Sequence, residues 1–475
     1  MDLDRRNILL GLAGAASLAG AAACSRAQDV DPETAPAIDN QSDFSDALVL
    51  PALPDAPLLN RARASQIMAA QGVDALICAR PENIYYLTNH YPMLAKMGIP
   101  QLSYAIVTRD ETIAPLLVIG QFAYYLGATE RATPKFVDVR LYTAPAEADS
   151  YFQSFSVFEQ MDAAAIESFL PQMHDAHPLH PIEQKRRDLT LEVSERIYPT
   201  SEVALLKATK DLLLTDKRVA VDNGTLKGLL ERADRMDIAA SGEDLIRQIR
   251  LQKTSAEIEL ARYAARANAE AGLTAAKSVR DGASFQDLRT QYALACAERS
   301  LTTKFMVIDG IIPDSVPRQI EDGRSFLIDC VSHHQYYHGD YGRTVCVGEP
   351  TRHIQKATAA LSKVWDELLP QLKPGVRYSE ISAMATKAYA DQTSEATLIC
   401  NPHSVGVHHT DEPSRPNTYH WAKDDLELLE GMVLSVDLPI ADIGLGGSGH
   451  LEDLVLIGAE GAELLNDTGD RVIIV

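Results

Sequence analysis

Residues 325–347 read SFLIDCVSHHQYYHGDYGRTVCV. Two apolar, partly β-branched runs, FLIDCV and GRTVCV, flank a polar centre, so the stretch reads as two strands joined by a short connection. Asp329 sits inside the first run and Asp340 just ahead of the second, 340 − 329 = 11 residues apart. That spacing is too long for one strand face and suits facing positions on two adjacent strands. Asp is depleted in strands, and burying an unpaired carboxylate costs an appreciable part of a domain's stability unless a cation compensates. The same anomaly recurs downstream, at Asp437 in VLSVDLPI and at Glu452-Asp453 in HLEDLVLIG. A single buried acid has an ordinary explanation in a pairing Arg; four acid-bearing runs with a histidine-rich segment are better explained by convergence on metal.

His403, in NPHSVGVHHTDEP, supplies the imidazole, with Gly406 permitting close backbone approach. Carboxylate-rich ligation with one nitrogen suits fairly hard divalent ions, manganese first, with cobalt, zinc or iron as alternatives, and four carboxylates call for two ions. His333, His334 and His338 read as solvent-facing turn residues, Arg343 as the partner of a site carboxylate, and Asp453 as a residue behind the ligands. Cys78, Cys330 and Cys346 lie in strand-like runs and read as small core hydrophobes.

Working outward, 475 residues at 46% hydrophobic and 23% charged are too long for one ordinary domain and too apolar for disorder. Two domains follow, with collagen-like and coiled-coil classes excluded. A net charge of −22 argues against a nucleic-acid partner. Six cysteines without a CxxC pair frame neither a disulfide scaffold nor a zinc ribbon.

Residues 1–24 read as an export signal: Arg5-Arg6 precede the apolar, small-residue stretch Ile8 to Ala23, ending at Cys24. The arginine pair resembles a twin-arginine signal, and Cys24 after three alanines is a candidate lipid-attachment cysteine, with ordinary cleavage nearby as the alternative. The protein is expected to be periplasmic, or anchored through Cys24 on the outer side of the cytoplasmic membrane. Residues 25–58, acidic and rich in proline, read as a flexible linker. Residues 59–240 read as an α/β N-terminal domain: a helix ending at Gly72, a buried strand at Asp74 to Ala79, a Pro81-initiated turn, and a hairpin around Arg109-Asp110-Glu111. Residues 241–475 form the second domain, opened by the capping box Thr254-Ser255-Ala256-Glu257.

These motifs resemble the pita-bread metallopeptidases, the family of Xaa-Pro aminopeptidases, Xaa-Pro dipeptidases (prolidases), methionine aminopeptidases and the metal-free creatinases, over nearly all of the expected mature chain. The segment QGVDALICARPENIYYLT is similar to the creatinase/prolidase N-terminal domain, and KTSAEIELARYAARAN to the helix that enters the catalytic domain. The aspartate pair with Tyr337, Arg343 and Thr344 matches the first metal motif, His403, Gly406 and Pro413 the histidine motif, and Glu452-Asp453 the final glutamate motif. The resemblance implies an α/β N-terminal domain followed by a curved, mainly antiparallel sheet flanked by helices. It implies two divalent ions, with Asp329 on one, His403 on the other, and Asp340 and Glu452 bridging. Asp437 takes the place of the family's remaining glutamate ligand and general base.

The implied activity is that of an Xaa-Pro-type aminopeptidase or dipeptidase, cleaving the N-terminal bond of a short peptide with a hydroxide held between the ions. A homodimer is implied too. The alternative is a non-peptidase hydrolase or lyase on the same fold, creatinase-like or resembling a dimethylsulfoniopropionate lyase, acting on a small molecule. The chain departs from the family where substrate is read: the second histidine falls on Thr410, with His409 one place early, both standing as candidate catalytic residues. The arginine before the final glutamate is His450, a usual glycine is Val331, and a usual threonine is Gly342. His450, Arg343 and Asp453 are candidates for substrate contact or for support of the ligands, and Phe305 to Gly323 lacks the further histidine of proline-specific members.

Overall fold

The computed structural model describes residues 48–475 apart from 98–102, 129–134, 144–169, 233–235, 311–317, 414–423 and 441–443 and the single positions 53, 171, 172, 175, 196, 240 and 395. The expected export signal, Cys24 and most of the linker lie outside the described residues. The linker's last stretch is attached to the body: Leu58 is fully buried, its amide donates to Asn89 Oδ1 at 3.0 Å, and Leu48 packs on an apolar cluster.

The N-terminal half builds a seven-stranded mixed sheet from β1 (Ala75–Cys78), β2 (Ser103–Thr108), β3 (Leu116–Gly120), β4 (Asp138–Tyr142), β5 (Ile197–Tyr198), β6 (Arg218–Val221) and β7 (Asp237–Ala239), in the order β5-β4-β3-β2-β1-β6-β7. The hairpin read around Arg109 is the antiparallel pair of β2 and β3. Pro81 opens a helix, Pro81–Thr88, rather than a turn. Proline at a first helical position loses no hydrogen bond, so the same residue serves either reading.

The second half places helices around an eight-stranded, mainly antiparallel sheet. Its strands are β8 (Thr302–Ile308), β9 (Ser325–His334), β10 (Tyr337–Cys346), β11 (Asn401–Ser404), β12 (Val433–Asp437), β13 (Leu451–Ile457), β14 (Ala462–Leu464) and β15 (Val472–Ile474). The main path runs β11-β12-β13-β10-β9-β8, with β14 beside β13 and β15 beside β10. The 325–347 stretch is the β9–β10 hairpin. Its two turn residues, Gln335 and Tyr336, have φ of 47° and 70°, the handedness a two-residue hairpin loop requires.

The long helix Ser255–Lys277 opens with the expected capping box and lies across β9 and β10. Close approach is secured by small residues: a Cβ at Gly339 would stand 2.4 Å from the carbonyl oxygen of Ala264. Asn268 on this helix donates to the Cys330 carbonyl at 2.7 Å and accepts from Tyr292 and Ser332 hydroxyls at 2.6 Å each. Cys78, Cys296, Cys330 and Cys346 are buried and unpaired, as small core side chains.

The two halves meet at Arg250, which is fully buried. Its guanidinium donates to Asn83 Oδ1 at 2.5 Å and to Asp411 Oδ1 at 2.7 Å, and Asn83 in turn donates to Asp222 and Glu243. Burial alone would raise the Asp411 carboxyl, but Arg250 and Lys253 outweigh it and hold the group at about 2. A carboxylate with a depressed folded-state pKa contributes stability above its unfolded value, and that contribution fades as pH falls through the folded value. Asp411→Asn should therefore cost about 3–5 kcal/mol near neutrality by removing the nearest counter-charge of the buried Arg250. The gap between parent and variant should narrow as pH drops from about 4 to about 2. Urea midpoints measured across that range check both the size and the sign.

Candidate metal centre

Strand register brings the acids together. Asp437 on β12 lies opposite Glu452 on β13, Glu452 opposite Gly342 on β10, and Gly342 opposite Asp329 on β9. One cross-strand row thus carries three carboxylates and a gap. Asp340 lies two residues from Gly342, so the period of two puts it on the same face. His403 arrives from β11, opposite Ser435 and again on that face. The eleven-residue spacing of the aspartates therefore produces diagonal rather than directly opposed neighbours, still converging on one side.

Donor atoms of Asp329, Asp340 and Glu452, of His403, Asp437 and Glu452, and of Asp340, His403 and His409 each lie within 4.8 Å of one another. His403 Nε2 is 3.5 Å from Asp340 Oδ2 and 4.0 Å from Glu452 Oε1, and His409 Nε2 is 3.1 Å from Asp340 Oδ2. Ser435 donates to Glu452 Oε1 at 2.7 Å. Asp340 and Glu452 are buried, whereas Asp437 and His409 keep 24% and 32% of their side chains exposed and form the open side of the cluster.

The electrostatics show what the cluster lacks. Burial, then Glu452 alongside, pushes the Asp329 carboxyl up to about 8. Burial, then Asp340 and Asp437, pushes Glu452 up to about 8. Asp340 rises well above the carboxylate range through burial and its neighbours Asp329 and Asp437. Asp437 goes the other way: burial would raise it, but the hydrogen bond and charge of His450, with His403 and His409, bring it to about 2. Asp329 Oδ1 and both oxygens of Asp340 are shielded from solvent and accept no hydrogen bond. Shielded oxygens without donors, on acids that disfavour one another's charge, fit a divalent cation.

Residues 259–459 match the profile of metallopeptidase family M24. The chain carries a metallopeptidase family M24 domain. It is 24% identical over 241 residues to the "Probable dipeptidase PepE" of Mycobacterium tuberculosis, covering 49% of this chain and 63% of that protein, so the match spans less than two thirds of that relative. It is 26% identical over 235 residues to the Xaa-Pro dipeptidase of Pyrococcus furiosus, covering 48% and 66%. Among solved structures, the P. furiosus prolidase superposes with a TM-score of 0.55 at 17% identity, covering 85% of this chain and 99% of that one. A dipeptidase from Pyrococcus horikoshii gives 0.61 at 15% identity, covering 87% and 100%. These likenesses establish the pita-bread fold.

Several expected placements change. His409, not Thr410, turns into the M24 site: Thr410 is exposed, and its hydroxyl lies 3.1 Å from His409 Nδ1. Its carbonyl accepts from Arg247 at 2.7 Å. Arg343 pairs with Asp453 at 2.7 Å on the reverse face of the sheet, rather than with a site carboxylate or substrate. Its other nitrogens donate to the carbonyls of Gly342, Glu452 and Asp470, so the pair clamps β10 to β13 behind the ligands. His333, His334 and His338 are buried, not solvent-facing; His333 stacks on Tyr336, and His334 packs edge-on to Tyr263. Tyr337 hydrogen-bonds Glu257 in the helix cap, away from the ligands. Sequence reading missed Ser435, whose alternation with Asp437 in VLSVD was the available signal, and Phe305, whose ring meets His409 edge-on at 5.5 Å.

Asp340 touches two of the three donor groups, so Asp340→Asn removes the charge they share. Elemental analysis after manganese reloading and desalting should show the ions retained by the parent and largely lost by the variant, with an unchanged circular-dichroism spectrum.

Proposed function

We propose that this chain is an exported, dinuclear metal-dependent aminopeptidase or dipeptidase of the Xaa-Pro type, with manganese the first choice of ion. The observation that carries the reading is the converging set Asp329, Asp340, His403, Asp437 and Glu452 on one sheet face, in a chain whose relatives include dipeptidases. Two divalent ions bound there would supply a neutral-pH water nucleophile and polarise the scissile carbonyl. The chain's own residues divide the remaining work. Asp329, Asp340 and Glu452 fix the cations from the closed side. His409 and Asp437, on the open side, are the groups a peptide can reach. Asp437, held ionised beside His450, can accept a proton at Oδ1 or Oδ2 and return it to the departing amine. The ring of Phe305 gives the open side an apolar wall next to His409.

A small-molecule hydrolase or lyase is the second reading, favoured by the exchange of the family's glutamate for Asp437. The presence of an imidazole at His409 despite Thr410 in the matching place weighs toward the peptidase. A panel of Xaa-Pro dipeptides, Xaa-Pro oligopeptides and non-proline peptides, run with reloaded enzyme, decides between them: uniform failure with metal bound would sink the peptidase reading. Export through residues 1–24, attachment at Cys24 and homodimerisation complete the proposal. Periplasmic fractionation of the parent and of Arg5→Lys/Arg6→Lys, and light scattering of the purified chain, test them.

On an active substrate, His409→Ala should lower kcat by roughly 100-fold or more, the scale of losing an electrostatic or acid–base group. Thr410→Ala, which leaves the imidazole in place, should change kcat by less than about 3-fold. Equal losses in the two variants would return Thr410 to the site.

A further inference from the structure

Gly342 stands in the middle of the acidic row, directly between Glu452 and Asp329, and is buried. Its φ is not positive, so conformational freedom does not explain a glycine inside a strand, where it forgoes side-chain packing. Space does. A Cβ at this position would lie 2.2 Å from Cδ2 and 2.3 Å from Nε2 of His450, and 2.8 Å from the Glu452 Cβ. The His450 ring fills the volume the glycine leaves. Its backbone is fixed on both sides by Thr344, whose hydroxyl accepts from the His450 amide at 2.9 Å and donates to its carbonyl at 3.1 Å. From there one nitrogen, Nε2, reaches Asp437 Oδ1 and Glu452 Oε2 at 3.2 Å each.

We propose that Gly342 and His450 act as one unit that positions the Asp437 and Glu452 carboxylates for cation binding, with His450 the positioning residue and Gly342 the gap that admits its ring. The unit accounts for the short acid at 437. With Oδ1 already 3.2 Å from the ring, a side chain longer by one methylene would run into the imidazole. Asp437, His450 and Gly342 are therefore three parts of one arrangement, and each residue choice makes sense only with the other two. The inference rests on the reading that this cluster binds divalent cations, and its test separates the two.

The full chain is prepared as parent, His450→Ala, His450→Gln, Gly342→Ala, Gly342→Ala/His450→Ala, Asp437→Glu and Asp437→Glu/His450→Ala. Each is titrated with cobalt(II), followed by visible absorption, and with manganese by calorimetry, and thermal melts report folding. His450→Ala and Gly342→Ala should each weaken one of the bound ions by about 10–100-fold, the cost of losing an outer partner of the ligands, and alter the cobalt spectrum. The Gly342→Ala/His450→Ala chain should be no worse than His450→Ala, because both changes act through one ring. His450→Gln, which keeps a donor, should recover part of the loss. Asp437→Glu should weaken binding in the parent and be better tolerated once the ring is removed. If Gly342→Ala does not fold, the comparison of His450→Ala with His450→Gln and the Asp437→Glu pair still decide. A parent that binds two ions, with His450 variants of parent-like affinity and spectrum, overturns the inference and leaves the proposed function standing; additive losses in the double variant overturn it too. A parent that binds no ion overturns both.

Discussion

Repulsion among carboxylates largely withdrawn from water organises the centre of this protein. Asp329, Asp340 and Glu452 face one side of the sheet with their carboxyls pushed above the usual range, first by burial and then by one another. A fold that assembled such a cluster without compensation would give up several kcal/mol per charge. The surrounding structure supplies hydrogen-bond donors only sparingly, Ser435 and His450 both reaching Glu452. The deficit left over is the recognition element for a divalent ion, and the strands can hold the acids in that state because the sheet is pinned from behind.

Two devices do the pinning. On the reverse face the buried Arg343–Asp453 pair, with three backbone carbonyls, locks β10 to β13, so the register that aligns Gly342 with Glu452 cannot slip. At the open side the loop from His403 to Glu412 is folded around the Asp411 carboxylate. That group accepts from Arg250 and from the Val407 amide, and a Cβ at Gly406 would lie 2.6 Å from it. Ser404 adds a contact from Lys253 and donates its amide to Glu412. Because Arg250 also holds Asn83 in the N-terminal half, the aim of His403 and His409 depends on how the two halves dock. The N-terminal half thus reaches the histidine loop through the buried Asn83–Arg250–Asp411 contacts, with Glu82 beside His408 at 3.7 Å as a second link.

Most of the fold was legible. The β9–β10 hairpin, the β2–β3 hairpin and the capped helix Ser255–Lys277 all follow from local pattern and capping chemistry. The acids at 329, 340, 437 and 452 stood out because a carboxylate in an apolar run contradicts the run's own preference. The errors share a physical origin. His333, His334 and His338 look like a polar turn, yet the tight loop is only Gln335-Tyr336, and the histidines are consumed by strand pairing and aromatic packing. Arg343 follows Gly342 by one residue, and in a strand a shift of one means the opposite face, so proximity in sequence to the ligands put it behind them. Thr410 matched a pattern by count, but in the folded loop Arg247 holds the Thr410 carbonyl and it is His409 that reaches Asp340.

Residue type and order by themselves determined the chemistry on offer: carboxylates and an imidazole at strand positions, a capped entry helix and a glycine where a side chain is normal. They determined it because an ionisable group in an apolar strand demands compensation wherever it ends up. Tertiary structure alone decided which groups share a face, which histidine of the 408–409 pair enters the site, and why residue 342 is glycine. Those depend on cross-strand register and on distances of two or three ångströms between residues more than a hundred positions apart, such as Gly342 and His450, which no local pattern in the chain encodes.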